Sequence, residues 1–418
     1  MGMARGGEPR GLATSQPMKP EPVHRRPRAA DARVSLSIGL ALGVLCGVGL
    51  ALAPTDAAAR ELKAVPVVKG LVNPWGLAFL PDGRMLVTEK PGRIRIADAQ
   101  GRLSAPLAGT PEIPAVAHVG QCGMLDIAVD PKFADNRWVY WTFAELGAGG
   151  NSTAVARGKL EGAAGQERLT DVRVIFSQQP KMESRHHCGS RIAFDRQGLL
   201  WVGLGDRFGG KDSAQTLDNH IGKVVRIASD GSVPADNPFI SKDVGRDGGK
   251  PGAKPELWSI GHRNIQGMAV HPATGELWAS EHGPQGGDEI NVAEAGKNYG
   301  WPVVTYGRNY GSGTAIGDEG PKPGIEMPLK HWVPVSVAPS GMAFITGDRY
   351  PGWKGSLVVG TLRAQALIRL SLDGRRVTGE QRLLGELGHR IRDVRQGPDG
   401  WLYVVTVGSE GQVLRLER

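Results

Sequence analysis

Apolar and polar residues alternate along this chain in short runs that come in pairs, and the pair recurs six times. The copies begin at Trp75 (PWGLAFLPDGRMLVTEK), Met124 (MLDIAVDPKFADNRWVYWTF), Ser190 (SRIAFDRQGLLWVGLGD), Gln266 (QGMAVHPATGELWASEHG), Ser340 (SGMAFITGDRYPGWKGSLVVGT) and Arg392 (RDVRQGPDGWLYVVTVG). Period-two alternation predicts a strand with one buried face, the Asp, Gly and Pro that follow predict a hairpin turn, and the second run predicts a returning strand. Successive copies start 49 to 76 residues apart, enough for four strands and a loop of variable length. The predicted fold is all-β: a six-bladed β-propeller with four-stranded antiparallel blades around a central channel.

A length of 418 residues would allow two domains, but the repeats run from Trp75 to the end without a gap, which predicts one closed domain over 60–418. The 61 Gly and 29 Pro suit a fold with many tight turns. The net charge of +8 raises the question of nucleic acid. Part of it, Arg25, Arg26, Arg28 and Arg33, lies in a leader-like segment, and the rest is scattered without Lys/Arg runs or interleaved stacking aromatics, so no nucleic-acid partner is expected. Residues 1–33 are polar, Pro-rich and basic, 34–52 are almost wholly apolar, and Ala57, Ala58 and Ala59 follow. This order predicts a leader over 1–59, cleavage near Ala59, and a periplasmic or secreted protein without stable membrane insertion. An uncleaved anchor is the alternative, because the apolar run is about long enough to cross a bilayer. Cys46 falls in the leader; Cys122 and Cys188 form no CxxC or CxxCH motif, and both a bridge between them and two separate buried thiols are open.

In a propeller the inner strands converge on the channel, so polar residues just before each inner strand collect at one mouth. Here that rule gathers Gln121, His186 and His187, Arg263 and Asn264, Ser336, and Arg390 and Arg392. Any one of them could merely satisfy channel carbonyls; complementary chemistry at five equivalent positions points to a site. Arg263, Arg363, Arg390 and Arg392 suit capture of a ligand with several carboxylates or phosphates. His187 is the group there whose ordinary pKa suits a proton acceptor near neutrality. A second cluster runs from Glu281 through His282, Gly283, Pro284, Gln285, Gly286, Gly287, Asp288 and Glu289 to Tyr299. Its Gly-Pro-Gln-Gly-Gly stretch frees carbonyls and its carboxylates are hard oxygens, which suits Ca²⁺, although no EF-hand or zinc spacing is present; a solvated acidic loop is the plainer reading.

These residues stand in blocks (NPWGLAFLPDGRMLVTE, GQCGMLDIAVDPKF, HHCGSRIAFD, GHRNIQGMAVHP, EHGPQGGDEIN, KNYGWPVVTYGRNY, APSGMAF, RIRDVRQGPDG) that resemble the soluble aldose sugar dehydrogenases dependent on pyrroloquinoline quinone (PQQ), relatives of soluble quinoprotein glucose dehydrogenase. The match runs from about Leu71 to the end. The resemblance implies a six-bladed propeller that oxidises an aldose at its anomeric carbon to a lactone by hydride transfer to PQQ, with an external quinone, dye or cytochrome as electron acceptor. It implies His187 as catalytic base and Arg263 as a stabiliser of charge on the reduced ring. Gln121 and Tyr310 fall on substrate-contacting positions. Arg263, Asn264, Val303, Val304, Thr305, Thr361, Leu362, Arg363, Arg390, Ile391 and Arg392 fall on cofactor-binding positions. Gly283 and Pro284 match Ca²⁺ ligands of the glucose enzyme, and Glu289 and Tyr299 match ligands of the aldose branch. Departures are Arg363 for a lysine, His186 for an aspartate beside the base, and Pro334 near a sugar-stacking tryptophan; they argue for the broader aldose branch. Cys122 and Cys188 adjoin site residues and are expected to pair. A monomer or homodimer is expected. A Ca²⁺-dependent propeller lactonase and a non-catalytic propeller that binds sugar or protein are the competing readings.

Overall fold

A computed structural model describes residues 62–240 and 252–418, so the expected leader over 1–59 lies outside the described residues. Six antiparallel sheets follow one another along the chain. Their inner strands are Pro74–Phe79, Met124–Val129, Gly189–Phe194, Ile265–Val270, Pro339–Phe344 and Ile391–Gln396, each within two residues of a start read from the sequence. Each pairs with the second strand of its repeat, the outcome of alternating apolar positions on either side of a tight turn.

The ring is closed by the first described strand. Lys63–Leu71 pairs antiparallel with Gly411–Glu417, from Lys63 opposite Glu417 to Leu71 opposite Gly411, and completes the sixth blade. Sharing a blade between the two ends of the chain removes two sheet edges that would otherwise lie open. The expected six-bladed architecture is present; in the first blade three strands are regular, Pro74–Phe79, Met85–Glu89 and Arg93–Ala97. A fourth segment begins, with the Ser104 amide on the Ile96 carbonyl at 2.8 Å and the Leu107 amide on Ile94 at 2.9 Å. Pro106 between them has no N–H to give, so a regular ladder cannot continue there.

Apolar faces of neighbouring blades pack on one another, with Trp75, Trp141 and Trp278 fully enclosed. Nearer the axis the contacts become ionic. Arg191, with no exposed surface, bridges Asp126 at 2.8 Å and Asp393 at 2.9 Å and lies over the Trp75 ring. Its Nε donates to the Gln266 carbonyl, and Asp393 accepts the Leu77 amide. One guanidinium thus ties five inner strands together. Breaking such a buried pair from one side costs about 3–5 kcal/mol, because the partner is left charged and dry.

Candidate active site

Antiparallel pairing puts the start of each inner strand and the end of its second strand at the same mouth: Pro74 opposite Glu89, Ile265 opposite Glu281, Pro339 opposite Thr361 and Ile391 opposite Thr406. In the third blade this brings His187 to Asp206. His187 is 5% exposed and its Nδ1 lies 2.6 Å from Asp206 Oδ1. Asp206 also accepts the Phe208 amide at 2.7 Å and, through Oδ2, the Trp301 indole N–H at 2.8 Å. A carboxylate already holding two donors favours a proton on His187 Nδ1 and leaves Nε2 as the acceptor. Burial above all, with Arg263 and His186 adding to it, pulls the His187 pKa below that of free imidazole; Asp206 works in the opposite sense. The ring is therefore neutral at pH 7 and able to take a proton. Its backbone stands at φ +48° and its amide donates to Gln121 Oε1 at 2.7 Å. A disulfide between Cys122 and Cys188, with Cα atoms 5.8 Å apart, joins the residues that follow these two.

Two cavities meet at this histidine. The larger, about 400 Å³, is lined by Gln121, His187, Arg263, Tyr310, Pro334 and Arg363 among others. The smaller, about 110 Å³, adds Asp206, Phe208, Lys211 and Trp301. Arg263 faces both. Its Nη1 donates to the carbonyls of His282 at 2.9 Å and Gly283 at 2.6 Å, its Nη2 lies 3.4 Å from the Tyr310 hydroxyl, and its buried Nε has no partner. Arg191 and Arg395 are neutralised by Asp126 and Asp393, whereas among the described residues Arg263, Arg363, Arg390 and Arg392 have no carboxylate partner. Burial, then Arg191 and Arg390, lower Arg392 to about 9. His282 falls to about 3, chiefly by burial and then by Arg392 and Arg263. Unpaired guanidinium groups and a dry Nε suit a ligand that brings several negative charges.

Other expected positions separate. Asn264 is buried and structural as well as close: its Oδ1 accepts the Gly189 amide and the Gln266 side chain. Val304 and Thr305 line a third, small cavity beside the second cluster, while Val303 is 38% exposed and lines none of the three cavities. Thr361 is fully buried, with its hydroxyl closing the turn to Ala366, and Leu362 is buried too, so their side chains support the turn that presents the exposed Arg363. The Ile391 side chain packs in the core between the fifth and sixth blades and not at the cavity. Arg390 is exposed.

The third cavity, about 10 Å³, is lined by Gly283, Glu289 and Tyr299, with Glu281 beside them, and is about the size of one water or ion. Burial, then Glu281 and Asp288, push the Glu289 carboxyl well up. The Asn291 amide bridges the two carboxyls and its own Oδ1 is buried without a partner. These oxygens fit a single hard cation. The Tyr299 hydroxyl is spent on the Val292 carbonyl and the Glu294 amide, so its main chain is what remains for a cation; the Gly283 carbonyl meets Arg263 and keeps a second lone pair, and Pro284 lines the larger cavities. Asp288 is likewise engaged, by the Gly283 and Ala338 amides and the Ser336 hydroxyl. Among the described residues no group of three His, Cys, Asp or Glu side chains is arranged to hold a metal, so carbonyls would complete any shell.

Asp206 was not anticipated from the sequence. It follows a second strand and does not precede an inner one; the aligned repeats carry the signal, since GLGD, VTEK and ASEH end second strands in the same way.

The glucose/sorbosone dehydrogenase family model matches residues 71–415. The chain belongs to this family. It is 44% identical over 350 residues to aldose sugar dehydrogenase YliI of Escherichia coli, covering 83% of this chain and 90% of that protein. The crystal structure of the soluble E. coli aldose sugar dehydrogenase in its apo-form matches with a TM-score of 0.79 at 42% identity, over 85% of this chain and 99% of that one. The PQQ-bound aldose sugar dehydrogenase from Streptomyces coelicolor matches with a TM-score of 0.68 at 30% identity, over 86% and 98%. In this family member His187, held by Asp206, borders one cavity with the unpaired Arg263 and Arg363, whereas Arg390 and Arg392 line none of the three cavities.

Proposed function

We propose that this family member oxidises aldose sugars at the anomeric carbon to lactones, with His187 as the base and PQQ as the bound cofactor. The observation that carries the reading is a neutral, Asp206-held histidine facing a cavity rimmed by arginines that have no acidic partner. PQQ, when bound, supplies a two-electron acceptor for the hydride that leaves C1. The chain's residues do the rest. Asp206 keeps the His187 proton on Nδ1, Nε2 takes the proton of the anomeric hydroxyl, and the imidazolium so formed is stabilised by the carboxylate. Arg363, Arg390 and Arg392 hold carboxylates, and Arg263 opposes negative charge that builds up near its Nε. Gln121, whose Oε1 is spent on the His187 amide, has its amide N–H₂ to offer a sugar hydroxyl, and Tyr310 forms the outer rim. Glu289, with carbonyl oxygens, would hold Ca²⁺.

The catalytic domain is 60–418, exported behind a leader of 1–59, and a separate quinone, dye or cytochrome reoxidises the cofactor. No helix among the described residues is long and apolar enough to cross a membrane. The lactonase reading gains a Ser259–His262–Glu281 chain of hydrogen bonds of 2.8 and 3.0 Å, the order of a hydrolase triad. Ser259 has no exposed surface, however, so its hydroxyl cannot reach a substrate. The test is dye reduction by the chain from Arg60 reconstituted with PQQ and Ca²⁺, across a panel of aldoses. The expected result is lactone formation that requires PQQ and is lost in His187→Ala; turnover without PQQ would refute the reading.

A further inference from the structure

Lys90 follows the strand Met85–Glu89 at the same mouth as the inner-strand starts, because Glu89 pairs with Pro74. Its backbone amide donates to Asn73 and its carbonyl accepts the Met124 amide, so its position is fixed by two blades. Its Nζ donates to the carbonyl of Gly120, the residue before Gln121. An ammonium has three N–H donors, and this one uses a single protein acceptor. The adjacent Glu89 does not neutralise it: that carboxylate is engaged by Arg93 at 2.6 Å, by Arg95 and by the Val72 amide. Among the described residues Lys90 has no ion-pair partner.

Its electrostatic neighbour is another cation. Burial and then Arg392 pull the Lys90 pKa down. Arg392 in turn lies over the Trp75 ring and donates to Gln266 Oε1 at 2.8 Å, and Gln266 is bonded to Asn264. Asp393 offsets part of the charge on Arg392, but no carboxylate is paired with Lys90, and an anion entering from the mouth would relieve the repulsion between the two half-buried cations.

We propose that Lys90 is a further anion-binding residue of this site, engaging a carboxylate of the bound cofactor beside Arg392 while it holds the loop that carries Gln121. The proposal rests on the PQQ reading for the ligand's identity. It gives Lys90 two tasks at one atom: the Gly120 carbonyl sets the Gln121 loop, and the two remaining N–H groups face the ligand. Loading the cofactor therefore stiffens the sugar-side glutamine.

The test is fluorescence titration of the apoprotein with PQQ for wild type, Lys90→Gln and Lys90→Arg. Thermal shift with benzene-1,3,5-tricarboxylate serves as a second probe, free of any redox chemistry. Glutamine can still donate to Gly120, so the loop is kept and the charge alone is lost; a melting curve without ligand checks the fold. A charge-assisted contact predicts a Kd for PQQ raised about 10- to 100-fold in Lys90→Gln, and within about threefold of wild type in Lys90→Arg. Equal PQQ affinity in wild type and Lys90→Gln overturns the proposal. Stabilisation by the tricarboxylate that depends on Lys90, in a protein that does not take PQQ, upholds the anion site and sinks the PQQ reading. Binding of neither ligand overturns both.

Discussion

Replacing Asp206 by Asn probes the catalytic arrangement most sharply, because one carboxylate serves three donors. Oδ1 meets His187 Nδ1 at 2.6 Å and the Phe208 amide at 2.7 Å, and Oδ2 meets the Trp301 indole at 2.8 Å. Asparagine has one acceptor oxygen. If that oxygen faces His187, its NH₂ confronts the Trp301 N–H, and a buried donor is orphaned at a cost of about 1–3 kcal/mol of stability. If the amide flips, NH₂ faces His187 Nδ1, and the imidazole must carry its proton on Nε2, where it cannot act as a base. In either orientation the imidazolium formed during turnover loses its counter-charge. Removing one partner of a buried pair costs about 3–5 kcal/mol, which at about 1.4 kcal/mol per decade predicts kcat/KM lower by about 100- to 4000-fold. The acid limb of the pH profile supplies a second reading. His187 must be neutral to work, so activity rises with pH through its pKa, and Asp206 is the group that raises that pKa. Asp206→Asn should therefore move the acid limb to lower pH while depressing the plateau. The assay is dye-linked aldose oxidation across pH 4 to 8, with PQQ affinity measured in parallel to show that the cavity survives. A variant within about threefold of wild type, or an acid limb shifted upward, would refute the argued role.

Three further outcomes follow from the same geometry. The chain from Arg60 should show no free thiol when denatured without reductant; Cys122→Ser with Cys188→Ser should lower stability by about 4 kcal/mol in a chain-entropy treatment of the 66-residue loop, read by urea melts. His282, held neutral with a pKa of about 3, gains protons only on unfolding between that value and its ordinary 6.5. Its contribution is intact above pH 6.5 and shrinks as pH falls towards 3, so His282→Gln should flatten the acid side of the Tm profile. Glu289→Gln should abolish any rise in Tm produced by Ca²⁺, whereas Tyr299→Phe should keep it, because the phenol is committed to Val292 and Glu294; loss of the shift in Tyr299→Phe would make the hydroxyl a ligand.

The six inner strands are legible in the sequence because burial of one sheet face imposes period two, and turns rich in Asp, Gly or Pro mark where each run reverses. The irregularity of the fourth segment of the first blade is legible too, since Pro106 sits where a ladder needs N–H donors. Side-chain direction was harder to read. Ile391 and Arg392 are neighbours, yet alternation sends the first into the core and the second to the mouth, and the block RIRDV does not by itself say which face is which. Thr361 and Tyr299 carry hydroxyls that the sequence offers to a ligand and the fold spends on its own backbone. Asp206 and Lys90 do not precede inner strands; what brings them to the mouth is antiparallel pairing with the preceding strand.

The most direct measurement is a single turnover without external acceptor: the PQQ-loaded protein is mixed anaerobically with one equivalent of aldose, and the absorbance of the bound cofactor is followed. The account predicts reduction of one equivalent of PQQ with formation of one equivalent of lactone. It also predicts a slower rate with aldose deuterated at C1, and no reduction within the same time in His187→Ala. Unchanged cofactor absorbance in the wild-type protein, or the same rate in His187→Ala, would contradict it.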